Sequence, residues 1–102
     1  MDILEALYAM EDYRIEMQFE VEDRIRDRDD LAAHEISARI TLIDEFLKDL
    51  DDGLGEPVQV AYTLYLKYME YMSDTLGSQA SYMFEIMADE AGYLIDYFTD
   101  CN

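Results

Sequence analysis

Apolar residues recur along this chain at steps of three and four, in four runs separated by short polar breaks. That spacing lines one face of an α-helix. In the first run Ile3, Leu7, Met10, Met17 and Val21 share a stripe, with Leu4, Tyr8, Ile15 and Phe19 beside it. Asp2, followed three positions later by Glu5, has the pattern of a capping box, so a helix is predicted from there to about Arg26. Residues 14–22 also alternate apolar and polar without a fault, the period of a half-buried strand. Their Glu, Met, Gln and Arg content favours helix, and no turn signal stands before Arg14.

Asp27-Arg28-Asp29-Asp30 reads as a short connection with an N-cap at Asp30. Ile36, Ile40, Ile43, Leu47 and Leu50 then form a heptad-like seam, with Ala32 and Ala33 leading in. Asp51-Asp52-Gly53-Leu54-Gly55-Glu56 ends that helix with two glycines. Pro57 suits the first position of the third, where a missing N–H costs nothing. Val58, Ala61, Tyr65, Met69, Met72 and Leu76 give the third stripe, in a helix predicted to about Thr75. After Gly77-Ser78-Gln79, with Ser78 or Ser81 as cap, Met83, Met87, Ala91, Leu94 and Phe98 give the fourth, flanked by Ile86, Tyr93 and Tyr97. Four amphipathic helices with short connections predict an all-α, antiparallel up-down-up-down four-helix bundle in one domain, residues 1–102. The alternative is an α+β fold with a hairpin in residues 14–42.

The third helix is unusual in its tyrosines. Tyr62, Tyr65, Tyr68 and Tyr71 recur every third residue and drift around the helix, so one stripe cannot bury them all. Tyr65 is expected in the core, Tyr62 or Tyr68 at its margin, and Tyr71 on a contact surface.

Charge changes the picture more than composition does. Seven Lys and Arg face twenty-five Asp and Glu, a formal net charge of −18, while 51% of residues are hydrophobic. The chain can therefore bury a core, yet it repels itself and anything carrying phosphates. Direct nucleic-acid binding and an anionic membrane are disfavoured, and a basic protein surface is the natural counterpart. One cysteine, Cys101, excludes a disulfide framework within the chain. With no signal peptide pattern and no long apolar run, the expected location is cytoplasmic, or the host cytoplasm for a phage-encoded chain.

Chemistry-bearing motifs fail on spacing. Asp49-Leu50-Asp51-Asp52-Gly53 resembles the start of a calcium loop, but glycine falls fifth rather than sixth and the twelfth position is Val60. His34 is the only histidine, too few for a carboxylate-bridged di-metal bundle, and with Asp30 it reads as a helix start with an exposed imidazole. Ser78, Ser81 and Cys101 lack a nucleophile's context. No enzyme and no cofactor is expected.

The carboxylates do show order. Glu16, Glu20, Asp23 and Asp27 ladder along the first helix, and Asp44, Glu45, Asp49, Asp51, Asp52 and Glu56 cluster at the end of the second. Glu70, Tyr71 and Asp74 add acid and an aromatic anchor on the third. Rows of carboxylates at about 5–6 Å on a rigid helix approximate a row of phosphates and can fill a cationic groove. A merely solvated face would use the same residues and lack only the partner. A homodimer through Tyr and Met surface is a further possibility.

In size and composition the chain resembles small acidic phage proteins that mimic DNA or block nucleic-acid-binding defence complexes, anti-CRISPR proteins among them. That likeness implies inhibition of a basic target and transfers no residue. Leu4-Glu5-Ala6-Leu7-Tyr8, Leu50-Asp51 before a glycine turn, Leu64-Tyr65 and Tyr68-Met69 are also similar to the flagellin export chaperone family. This second resemblance implies a cytosolic helical bundle that wraps a client's C-terminal helical segment. The family's Ala-Asn-Leu is replaced here by Ser73-Asp74-Thr75-Leu76, and its closing tryptophan is missing.

Overall fold

The computed structural model describes residues 2–101. Four helices account for nearly all of them: α1 Ile3–Arg26, α2 Asp30–Asp51, α3 Pro57–Asp74 and α4 Gln79–Thr99. Among the described residues there is no strand, so the hairpin alternative for residues 14–42 does not form. The architecture is an antiparallel four-helix bundle.

The helix ends follow local chemistry. The Asp2 carboxylate accepts the Glu5 N–H at 2.8 Å, and the Ser78 hydroxyl accepts that of Ser81 at 3.2 Å. The second cap is Asp29, which accepts from Ala32, rather than the expected Asp30. Asp30 instead opens the helix, where its charge suits the helix dipole. Pro57 is the first residue of α3, and the Glu56 N–H donates to Gln59 Oε1 at 3.2 Å. Arg28, in the α1–α2 turn, has φ 62°, a left-handed conformation that strains a residue with a Cβ.

The helices do not pack as four equal edges of a square. α3 and α4 form the most extensive contact, and α1 packs mainly on α2. α2 lies against both partners of the α3–α4 hairpin, leaning on α4 more than on α3. The result is 40 × 32 × 22 Å, about two helix layers thick.

Burial follows from this placement. α2 buries Ala33, Ile36, Ala38, Ile40, Leu42, Ile43 and Phe46, which at 100° per residue spread over about 220° of its circumference. Its predicted seam is therefore only part of its core surface: Leu47 and Leu50, near its C-terminal end, are half-buried, and Leu42 and Phe46 are fully enclosed. In α3 the buried residues are Pro57, Val60, Ala61, Leu64 and Tyr68. The expected Val58, Tyr65 and Met69 flank them, and Leu76 lies beyond the helix at 76% exposed. α4 keeps Met87, Ala91, Leu94 and Phe98 as expected, with Met83 half-buried. A chain of rings links the layers, with Tyr13 beside Tyr93, then Tyr97, Phe98 and Phe46, at centroid spacings of 6.2, 6.0, 5.1 and 5.4 Å.

Candidate binding surfaces

Local sequence fixes where each charge points. The ladder residues Glu16, Glu20 and Asp23 of α1, and Asp27 at its C-cap, are all exposed. Two of them are compensated on their own helix: Glu20 by Arg24 at 3.7 Å, and Asp23 by Arg26. In the second cluster Asp44 receives Arg14 in a two-pronged contact at 2.9 and 3.2 Å, and Asp52 receives Lys48 at 3.7 Å. The Asp44 carboxylate in turn raises the pKa of Arg14 by accepting its hydrogen bonds. Asp49, Asp51, Glu56, Glu70 and Asp74 form no ion pair among the described residues.

Glu45 differs from the rest of its cluster. Half-buried between α2 and α3, it receives Lys67 Nζ at 3.0 and 3.2 Å and the Tyr68 hydroxyl at 2.6 Å. Lys67 also stands 5.2 Å from the Tyr68 ring centre and 5.8 Å from that of Tyr71. Burial, with donation to Glu45, pushes the Tyr68 hydroxyl well above the usual phenol range. Glu45 thus serves as a structural cross-brace. Tyr68 is the most enclosed of the tyrosine ladder at 6% exposed, where Tyr65 was expected, because α3 turns Leu64 and Tyr68 toward its neighbours. Tyr62 is 53% exposed, and Tyr71 is 42% exposed while leaning on Tyr68 and Phe84.

The buried carboxylate is Glu90 of α4, which the charge pattern does not single out. It is 7% exposed, its Oε1 has no hydrogen-bond partner, and its Oε2 lies 4.0 Å from Arg39 Nε. Burial raises its pKa, and the Tyr13 hydroxyl and the Arg39 guanidinium offset part of that rise. Tyr13 is pushed up in turn, by burial and then by the Glu90 charge.

The second surface is apolar. Leu4, Tyr8, Ile15 and Phe19, expected beside the α1 core stripe, are 60%, 60%, 50% and 63% exposed. At 100° per residue they span about 60°, on the side of α1 nearly opposite the buried Ala6, Met10, Met17 and Val21. Covering four such side chains is worth about 5 kcal/mol, at 1.5–3 kcal/mol for each fully buried one. A groove of about 590 Å³ between α2 and α4 is lined by Ala38, Ala80, Met83 and Met87, with His34 at its polar side.

Among the described residues no three His, Cys, Asp or Glu side chains converge as a metal site. No helix there is long and apolar enough to cross a membrane. Comparison with protein-family models, curated proteins and solved structures finds no match to this chain.

Proposed function

We propose that this chain is a non-enzymatic acidic binding protein: an inhibitor that occupies a basic nucleic-acid-binding or other protein surface of its target. This is the activity of the DNA-mimic and anti-CRISPR phage proteins it resembles, and it would be exercised in the host cytoplasm. One observation carries the reading. Of seven Lys and Arg, six are engaged with carboxylates of the same chain, leaving Arg28 aside among the described residues. The cations are consumed internally. What the surface offers outward is therefore uncompensated carboxylate, held at fixed helical spacing, which steers and docks a basic partner. The test is capture of proteins from host lysate on the immobilised chain, eluted at rising salt and identified by mass spectrometry. Basic nucleic-acid-binding proteins should elute steeply between about 50 and 200 mM salt. Retention of apolar clients alone, with no basic partner, would overturn the proposal.

A second reading, a bundle chaperone that holds a client's amphipathic helix, is favoured by the Met83–Met87 groove. Flexible thioether side chains adapt to varied helices. Such a chaperone would keep its client at high salt and lose it when Met83 and Met87 are replaced by serine.

A further inference from the structure

We infer that the outer face of α1 is the docking surface for a basic amphipathic helix of the partner; this rests on the acidic-binder reading above and specifies where it acts. α1 carries three bands. The inner band, Ala6, Met10, Met17 and Val21, packs into the bundle. The outer band, Leu4, Tyr8, Ile15 and Phe19, faces solvent. Between them, at 100° per residue, Glu5, Asp12 and Glu16, all exposed, border the outer band, and Glu20, Asp23 and Asp27 carry the acidic ladder on beyond its C-terminal end. Glu11, exposed, borders the outer band on its other side, and Glu22, also exposed, continues its line past Phe19. The apolar band from Leu4 to Phe19 is about 22 Å long, at 1.5 Å per residue, or four turns.

These features choose the occupant. An apolar stripe bordered by carboxylates on both sides matches a helix whose own stripe is flanked by Lys or Arg, the helix-in-groove mode of recognition. A second copy of the chain matches poorly. It would bring the same acidic border against this one, in a protein of net charge −18. One helix face, about 36 Å by 10 Å for the 24 residues of α1, also falls well short of the roughly 800 Å² per partner that stable interfaces bury. Charge attraction must supply the remainder, and only a basic partner supplies it.

The probe is a synthetic 20-residue helical peptide with leucines at i, i+3 or i+4, and i+7 flanked by lysines. A scrambled peptide of equal composition serves as control. Fluorescence anisotropy measures both against the full chain and against Ile15→Ser/Phe19→Ser, whose exposed positions leave the fold intact by circular dichroism. The helical peptide should bind more tightly than the scrambled one and lose about tenfold affinity on the double variant, while the scrambled peptide's binding is unchanged. Equal affinity of the helical peptide for both proteins would overturn the assignment to α1 and leave the acidic-binder reading standing. No binding of either peptide at low salt would overturn both. A dimer in light scattering that the double variant makes monomeric would overturn the inference in favour of a second copy.

Discussion

Replacing Glu90 with glutamine should stabilise the protein at neutral pH, and the gain should vanish in acid. Glu90 is 7% exposed, and its Oε1 is enclosed without a donor. Leaving a buried acceptor unpaired costs about 1–3 kcal/mol. Here Arg39, 4.0 Å away and itself part-exposed, and the Tyr13 hydroxyl return some of it. Glutamine keeps the shape and one acceptor oxygen while removing the charge; its amide gains no new partner, so only the cost of the buried charge is recovered, a net gain of about 1 kcal/mol or roughly 4–8 °C in Tm for a domain of this size. The pH dependence has a definite sign. Burial raises the folded-state pKa of Glu90 above the ordinary 4.5. The ionised carboxylate therefore costs stability at any pH above its folded value, and the cost disappears as pH falls through that value to 4.5. The assay is urea unfolding of both proteins from pH 7.5 to 4. Subtracting one series from the other cancels the titration of the exposed carboxylates common to both. A glutamine variant that is less stable at pH 7, or a difference that does not change with pH, would refute the picture of an uncompensated buried charge.

Two further outcomes follow from the packing. Phe46→Ala should cost about 3–5 kcal/mol in chemical denaturation, since the ring is fully enclosed and packs, tilted, 5.4 Å from Phe98. Tyr68→Phe should cost about 1 kcal/mol, because it removes only the 2.6 Å donation to Glu45, whose carboxylate keeps Lys67. A cost for Tyr68→Phe as large as that for Phe46→Ala would mean that the cross-brace organises the α2–α3 contact.

The helix count and ends were legible in the chain because they depend on neighbours in sequence: the Asp2 and Ser78 caps, Gly53, and Pro57. Depth of burial was legible only for the stripe that a 3.6-residue period reports. In α4 four of the five expected stripe residues are buried, but so are Ile86, Ala88 and Glu90, which lie outside that stripe. In α2 the same period says nothing of a second neighbour covering Leu42 and Phe46. In α3 the seam through Tyr65 and Met69 is displaced for the same reason. In α1, Leu4, Tyr8, Ile15 and Phe19 fit the helical period equally well on the inside or the outside, and only the packing puts them outside. The acidic ladder was visible as spacing. Its pairing with Arg24 and Arg26 came only with the structure, as did the cross-helix contacts of Arg14, Arg39 and Lys67.

The lopsided attachment of α1 also divides the molecule by local stability. α1 is held by α2, with Tyr13 reaching α4 through Tyr93. It buries four side chains over 24 residues, where α4 buries eight over 21. Detaching it opens the α1–α2 contact and leaves the α3–α4 hairpin, the most extensive contact, in place, so opening there is a sub-global event and not a step of complete unfolding. Amide protons of α1 should therefore exchange with solvent ahead of those in α2 and α4, and proteases should find their first cut in the strained turn at Arg28. A helix clasped from its outer side would gain the second neighbour it lacks, and slowed exchange along α1 would record that clasp.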